Sequence, residues 1–246
     1  NNVESVTEDF FLPVRGSDSG TSIESLPGLS ESQTRKLRDI YENFGSKDSS
    51  SVKKIENTTK HDVKAVENFL KDISLSNKNW RTISLRYFNP CGADESGLIG
   101  EDPIGIPTNL MPYITQVATQ KLKILSIFGR NYETKDGTAV RDYIHVSDIA
   151  SGHVLALKRL ELTEGSLAIN LGSGIGYSVL DIVNTFQKTT DIEIPYKFID
   201  RAAGDASIAY ASVKKAKKIL QWEATRNLED MCKDAWNFQK KNPEGY

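Results

Sequence analysis

Thr82-Ile83-Ser84-Leu85-Arg86-Tyr87-Phe88 decides the fold, because it is rich in residues that favour strands and it ends abruptly at Asn89-Pro90. From residue 81 onward, segments of this kind alternate with helical ones. We predict strands over residues 82–88, 123–128, 140–146, 167–171 and 196–199. We predict helices over residues 110–120, from 147, and over 179–188, 213–220 and 228–238. This alternation predicts an α/β layered fold.

The first 75 residues have a different pattern. Residues 16–22 are a polar, glycine- and serine-rich stretch with nothing to bury. Ser30-Glu31-Ser32-Gln33 has a capping-box pattern and precedes apolar residues at helical spacing, and a second helix is expected from near Asp62. We therefore predict a helical, partly disordered segment over residues 1–75 and an α/β domain over residues 76–246.

The composition excludes several classes of protein. The 246 residues carry 31 Lys and Arg against 33 Asp and Glu, so no basic face is expected for nucleic acid or anionic lipid. No apolar run approaches the roughly 18 residues of a membrane-spanning helix, and no signal peptide is recognisable. The two cysteines cannot build a disulfide framework. We therefore expect a folded cytoplasmic protein with no nucleic acid or membrane partner.

The glycine-rich stretch Gly172-Ser173-Gly174-Ile175-Gly176 lies between a predicted strand and a predicted helix, which is the context of a dinucleotide-binding turn. Its spacing is GxGxG rather than GxGxxG, and no acidic residue ends a second strand about 20 residues further on. We therefore favour a tight strand-to-helix turn in which Ser178 caps the helix.

Two further groups of polar residues lie on a predicted strand and at element boundaries. Arg141 and His145 are four residues apart on one strand and share a face. Arg141 can bind a phosphate group through its forked guanidinium or form a surface salt bridge, whereas His145 is more simply a structural histidine than a base. The side-chain amides of Asn89 and Asn109 can each cap a turn or bind a phosphate or hydroxyl group.

The run Thr58-Thr59-Lys60-His61-Asp62 is the last candidate. Its threonines and Asp62 can cap the following helix, and His61 lies at a helix N-terminus, where the dipole favours an anion. An exposed capping segment is the simpler interpretation. The histidines and cysteines show no metal-ligand spacing, so we expect no metal site. The residues alone thus indicate an α/β domain that binds a phosphorylated small molecule.

From about Trp80 to Tyr246 the sequence resembles the C-terminal half of the UDP-glucose 4-epimerase family of extended short-chain dehydrogenase/reductases. The similar stretches are RYFNPCGADESGLIGEDPIGIPTNLMPYITQVA, IFGRNYETKDGTAVRDYIHVSDIASGHVLAL, NLGSGIGYSVLDIVNTF and the tail from Gly204-Asp205. The resemblance implies the substrate-binding half of such an enzyme, with a partial Rossmann sheet and a substrate domain. It also implies a UDP-sugar substrate, NAD as cofactor and a homodimer. The family interconverts UDP-sugars through transient oxidation of C4 by NAD.

The resemblance implies roles for residues on the cofactor and sugar side. Tyr87 and Phe88 would lie where the end of the strand meets NAD and the sugar nucleotide. Asn89 would bind the diphosphate or the sugar. Asn109 and Leu110 would contact the UDP moiety.

On the nucleotide side, Ile127 and Phe128 would hold the uracil, partly through backbone groups. Arg141 would pair with the diphosphate, and Asp205 would lie on the sugar-nucleotide side. The family has a second phosphate-binding arginine in an Arg-Arg-Glu-Gly-Asp stretch, which here reads Arg201-Ala202-Ala203-Gly204-Asp205. Loss of such a charge-assisted bond costs about 1.5–3 kcal/mol, so we expect a lower affinity for UDP-sugars.

The family builds its NAD site on an N-terminal half with a GxxGxxG turn, and its base is a Ser/Thr together with a Tyr-x-x-x-Lys pair. We expect neither motif in this chain. We therefore predict that the chain has no catalytic residue and is inactive alone. A non-catalytic UDP-sugar-binding module is the alternative.

Residues 55–71 resemble a second family, the N-terminal region of adenylosuccinate lyase, an all-helical enzyme of purine biosynthesis. There a Thr-Thr-Asn-His-Asp run contributes to the substrate site, and Lys60 replaces its Asn. The resemblance extends over about residues 28–72 and makes His61 and Asp62 candidate site residues. A lyase-derived fragment is therefore a third interpretation. Two family patterns that meet near residue 75 lead to the hypothesis of a chimeric or mis-joined sequence.

Overall fold

The computed structural model describes residues 59–202 and 204–245, with the main chain alone for residues 59–62. Within these residues the helices are α1 (Thr59–Ser76), α2 (Leu110–Ala118), α3 (Val146–Leu160), α4 (Val179–Thr190), α5 (Lys214–Leu220) and α6 (Leu228–Lys241). The strands are β1 (Thr82–Tyr87), β2 (Asn89–Cys91), β3 (Leu125–Phe128), β4 (Val140–His145), β5 (Ser166–Leu171), β6 (Gly176–Ser178), β7 (Tyr196–Ile199) and β8 (Ile208–Ala209). The predicted α/β alternation is confirmed.

The described residues fall into two compact units. The smaller contains α1 and continues to Ser84, and it also includes Leu160–Ala168. Its strand segments are joined by a hydrogen bond of 3.0 Å from the Thr82 N–H to the Gly165 carbonyl and one of 2.8 Å between the hydroxyls of Thr82 and Ser166. These bonds hold together two segments that are more than eighty residues apart in the chain.

The larger unit comprises residues Leu85–Arg159 and those from Ile169 onward. Its central strand is β4, which pairs in parallel with β2 and β8 and antiparallel with β6. Arg141 lies opposite both Tyr177 of β6 and Ala209 of β8. A separate parallel pair joins β3 to β7, with Phe128 opposite Ile199. The topology thus places Arg141 inside the sheet, flanked on both sides by backbone.

The hydrophobic core of the larger unit lies between these strands and helices α2, α4 and α6. The helices were foreseeable from their spacing of apolar residues, and they bury those faces. Fully buried core side chains include Ile114, Leu125, Ile182 and Phe186. Each such aliphatic or aromatic side chain contributes about 1.5–3 kcal/mol through burial, so this cluster is the main source of stability for the strands that carry the candidate site.

The predicted element ends shift by a few residues. The helix expected to stop at residue 120 ends at Ala118, and the last helix continues past Phe238 to Lys241. The first strand ends at Tyr87 rather than at residue 88, and Asn89–Cys91 form a further short strand, β2. Pro90 is tolerated there because it is exposed and lies in a strand of only three residues, where a missing N–H costs little.

Some predictions concern residues outside the described range. The helix expected after Ser30-Glu31-Ser32-Gln33 lies there, and the boundary at residue 75 stays a prediction. None of the described helices is long and apolar enough to cross a membrane. Among the described residues, no group of three or more side chains could hold a metal ion.

Candidate functional site

Arg141 is the buried cation of the candidate site. It extends from the second residue of β4 and is 8% exposed. One guanidinium nitrogen donates to the Val140 carbonyl at 2.8 Å, and the other forms an ion pair with the carboxylate of Asp205. The alternative of a surface salt bridge is therefore wrong, since the paired arginine is buried. A guanidinium held in this way offers its remaining N–H groups in a fixed orientation.

Tyr132 and Arg201 complete the surroundings of Asp205. The Tyr132 hydroxyl donates to the second carboxylate oxygen of Asp205 at 2.6 Å. Burial and this hydrogen bond raise the pKa of Tyr132 to about 12, so the phenol is neutral at pH 7. The Arg201 guanidinium stacks 4.1 Å from the centre of the Tyr132 ring and donates to the Asp205 carbonyl at 2.5 Å. We call Arg141, Asp205, Tyr132 and Arg201 the arginine cluster.

The end of β3 lies next to this cluster in the chain. Ile127 is buried in the core, whereas Phe128 is 53% exposed, because alternate residues of a strand face opposite sides. Gly129 follows with a φ of +77°, and a Cβ on it would lie 2.4 Å from the Tyr132 ring. Only glycine permits this contact between the strand end and Tyr132. The structure therefore places the residue after Phe128 against Tyr132 and buries the Ile127 side chain in the core.

Asn109 and Leu110 mark the start of α2. The Asn109 side chain makes no capping hydrogen bond, and its amide instead donates to a carboxylate oxygen of Glu101 at 2.7 Å. Burial raises the pKa of Glu101, and the bond from Asn109 opposes that shift. Leu110 packs against the core. Asn109 is thus not the turn cap that the sequence allowed.

Tyr87, Phe88 and Asn89 run from β1 into β2. The Tyr87 hydroxyl lies 3.0 Å from Nε2 of His153, whose Nδ1 lies 2.9 Å from the Ile149 carbonyl. A carbonyl only accepts, so the proton is on Nδ1 and the Tyr87 hydroxyl donates to Nε2. Phe88 is buried and Asn89 is partly exposed at the first position of β2. No pattern in the sequence connects His153 with Tyr87.

His145 is the structural histidine that the sequence favoured. It is fully buried, its Nδ1 accepts the Ser147 N–H at 3.1 Å, and its Nε2 lies 3.2 Å from Asp234. The proton is therefore on Nε2 and donates to Asp234. Burial lowers the pKa of His145, which keeps the ring neutral. Such a ring holds β4 to α6.

The turn at residues 172–176 is closed by a carboxylate of the chain itself. Asp142, fully buried, accepts hydrogen bonds from the Ser173 N–H at 2.8 Å and the Gly174 N–H at 2.9 Å. The Ser173 hydroxyl and the Ala211 N–H bind the same carboxylate. Ser178 caps α4 in a capping box. The interpretation as a tight turn is confirmed, because the amides that could face a phosphate already face Asp142.

One sequence expectation needs correction. The spacing Tyr-x-x-x-Lys does occur, at Tyr210 and Lys214. Tyr210 lies after β8 and is 47% exposed, and Lys214 is the first residue of α5. Tyr210 precedes the helix rather than lying one turn before Lys214 on it, so the two side chains do not share a helical face. No GxxGxxG turn occurs in the 246 residues.

His61 and Asp62 lie in the first turns of α1, which begins at Thr59, three residues before the expected start. Their side chains lie outside the described residues. Their role as candidate site residues stays a prediction.

Comparison with known proteins gives the family context. Residues 60–172 match the model of the NAD dependent epimerase/dehydratase family. Over 181 residues, or 74% of this chain, the sequence is 58% identical to UDP-glucose 4-epimerase of Pasteurella multocida (strain Pm70), and the match covers 54% of that protein. It is 54% identical to UDP-glucose 4-epimerase of Bacillus subtilis (strain 168) over 74% of this chain and 53% of that protein. The chain thus spans about half the length of the curated relatives it matches.

Solved structures agree with this likeness. UDP-glucose 4-epimerase from Bifidobacterium longum in complex with NAD+ and UDP has a TM-score of 0.70 and 46% identity, over 73% of this chain and 53% of that one. UDP-glucose-4-epimerase from Stenotrophomonas maltophila, with bound NAD and formylated UDP-arabinopyranose, also has a TM-score of 0.70 and 46% identity, over 72% of this chain and 53% of that one. The expected fold of the C-terminal part is confirmed.

Proposed function

Since residues 60–172 match the model of the NAD dependent epimerase/dehydratase family, we propose that this chain provides the UDP-sugar-binding half of a UDP-glucose 4-epimerase. The observation that carries the proposal is the buried guanidinium of Arg141, paired with Asp205. A buried arginine with unused N–H groups suits a diphosphate, because its fork matches two phosphate oxygens. The complexes of the similar solved structures with UDP and with formylated UDP-arabinopyranose support the same ligand.

The proposed roles of the other residues follow the path of the ligand. Phe128 and the backbone at Ile127 hold the uracil, next to the arginine cluster in the chain. Asn109 and Leu110 contact the UDP moiety at the start of α2. Arg141 binds the diphosphate and Asp205 lies on the sugar-nucleotide side.

Tyr87 is proposed to face NAD, with Phe88 and Asn89 towards the sugar. The hydrogen bond from the Tyr87 hydroxyl to His153 supports a positioning role, because it fixes the ring at the end of β1. If NAD were bound beside Tyr87, it would supply the transient oxidation of the sugar at C4. The described residues do not fit the phosphates of NAD, since Asp142 occupies the glycine-rich turn. We therefore propose that this chain does not epimerise UDP-sugars by itself.

The alternative of a non-catalytic UDP-sugar-binding module is favoured by the difference between the arginine cluster and the glycine-rich turn. The arginine cluster is complete among the described residues, whereas the dinucleotide turn is not. A lyase-derived fragment rests on residues 28–72, of which the structure describes the main chain from Thr59 and the side chains from Val63. The resemblance supports a homodimer as a proposal, and the two cysteines, which cannot build a disulfide framework, support a cytoplasmic location as a second one.

Calorimetry of the full chain with UDP tests the proposal. We expect UDP to bind, and Arg141→Lys to bind UDP several-fold more weakly because lysine keeps the charge but loses the fork. Uridine, which lacks the diphosphate, should bind both proteins equally. Absence of UDP binding by the folded wild-type chain would refute the proposal. A coupled UDP-galactose assay and the absorbance spectrum of the purified chain test the expected absence of turnover and of bound NAD.

A further inference from the structure

The two arginines of the arginine cluster converge on a single residue. Arg141 binds the Asp205 carboxylate, and Arg201 donates to the Asp205 main-chain carbonyl at 2.5 Å. The two guanidinium groups therefore bind the same aspartate, one at its side chain and the other at its main chain. Two guanidinium groups bound to one residue suit a ligand with two linked anionic groups, because each guanidinium binds oxygens through a planar fork.

The charge of the cluster favours an anion. Arginine stays protonated in proteins, so the cluster has two positive charges. Asp205 supplies one negative charge, and Tyr132 is neutral because burial and its hydrogen bond to Asp205 raise its pKa to about 12. One net positive charge remains, in a place where Arg141 and Tyr132 are buried. An anion there is screened less by salt than one at a fully exposed arginine.

Tyr132 holds Arg201 in place. The Tyr132 ring is 4% exposed, and the Arg201 guanidinium lies 4.1 Å from its centre. A stack on a buried ring restricts the arginine while leaving the edge of the guanidinium, with its N–H donors, directed outward. The contacts described for Arg201 use one of its five N–H donors. Arg201 itself is exposed, so a ligand can reach those donors.

We propose that Arg201, held on the Tyr132 ring, is a second diphosphate-binding residue, which acts together with Arg141 across Asp205. The inference rests on the proposed UDP-sugar binding and names a further residue of that same site. The site then has two guanidinium groups for a nucleoside diphosphate. The second comes from Arg201, because the neighbouring position carries Ala202 instead of an arginine.

The competing explanation is that Arg201 only closes a turn. The Asp205 N–H bonds to the Ala202 carbonyl at 3.3 Å, and the Arg201 side chain bonds to the Asp205 carbonyl. A residue that only stabilises this turn would affect all ligands of the site alike. A residue that binds phosphate would affect UDP and leave uridine unchanged. The ratio of the two affinities therefore separates the explanations.

The test is calorimetry of the full chain with UDP, UMP and uridine. We expect Arg201→Ala to weaken UDP binding about tenfold, in line with loss of a charge-assisted bond, to weaken UMP less and to leave uridine unchanged. Arg201→Lys should restore part of the UDP affinity. Tyr132→Phe keeps the aromatic ring and should keep most of the UDP affinity. Arg130→Ala is the matched control, since Arg130 stacks instead on Phe198 at 5.0 Å; it should leave the UDP-to-uridine ratio unchanged.

Three results would overturn the inference. An unchanged UDP affinity in Arg201→Ala removes the phosphate role. An equal loss for UDP and uridine assigns Arg201 to the turn alone. A folded wild-type chain that binds no UDP refutes the proposed function itself, so the two failures are distinguishable.

Discussion

Replacement of Asp142 by asparagine tests the most connected carboxylate of the structure. One oxygen accepts the Ser173 N–H and hydroxyl, and the other accepts the Gly174 and Ala211 N–H groups. An asparagine has only one acceptor oxygen, and its NH2 group would face donors at the other end. Whichever way the amide turns, two of the four charge-assisted hydrogen bonds are lost.

The expected loss is large. A hydrogen bond to a charged group contributes about 1.5–3 kcal/mol, so two lost bonds correspond to about 3–6 kcal/mol. Asp142 is fully buried, so water cannot replace them. A domain has a free energy of unfolding of about 5–15 kcal/mol, and Asp142→Asn should therefore remove much of it.

Equilibrium urea unfolding, followed by tryptophan fluorescence at pH 7, measures this loss. With a slope of about 1–3 kcal/mol per molar urea, the midpoint should fall by about 1 M or more. Asp200→Asn is the matched control, because Asp200 is exposed, and it should shift the free energy of unfolding by less than about 0.5 kcal/mol. A loss below about 1 kcal/mol for Asp142→Asn would refute the reasoning that this carboxylate closes the glycine-rich turn.

Three other predictions follow from buried or capping groups. Burial lowers the pKa of His145 below its ordinary value of 6.5, so its contribution to stability is present above pH 6.5 and is lost as the pH falls through the lowered pKa; His145→Gln should flatten the pH dependence of unfolding there. Ser178→Ala should cost about 1 kcal/mol in thermal or urea unfolding, because α4 loses its cap. Gly172→Ala should cost about 1–3 kcal/mol, since its Cβ would lie 2.4 Å from that of Ala211.

The controls for these three differ. An unchanged slope of stability against pH in His145→Gln would contradict the first. Ser178→Thr keeps a capping hydroxyl and should recover most of the loss caused by Ser178→Ala. Gly105→Ala places a Cβ in open space at a φ of +85°, so it measures backbone strain alone. If Gly172→Ala costs no more than Gly105→Ala, the contact with Ala211 is not limiting.

The sequence predicted features whose cause is local. The strand-to-helix turn and the Ser178 cap depend on residues within a few positions of one another, and both are confirmed. The role of Asp142 was not predictable in the same way, because its donors at Ser173 and Ala211 are 31 and 69 residues away. Nothing in the run around Asp142 distinguishes it from an exposed acidic residue.

The same distinction between local and distant causes applies to the residues of the candidate site. Arg141 was singled out for its residue type, but its burial follows from strands β6 and β8, which come later in the chain. Asp205 came from the family resemblance alone. Tyr132 gave no signal, since a single tyrosine in a polar loop has no periodicity, and its partner lies 73 residues away. An arginine, an aspartate and a tyrosine this far apart in sequence can be recognised as partners only once the fold is known.

The pairing of β4 bears on how the protein is made. During synthesis β4 leaves the ribosome well before β6 and β8, and Arg141 meets Asp205 only after another 64 residues have been added. Until then the nascent chain exposes an unpaired strand edge, which is the kind of surface that chaperones bind and that aggregates form on. The arginine cluster is therefore among the last parts of the chain to form. A ribosome that stalls before residue 205 would release a chain with an arginine but no counter-charge to hold it.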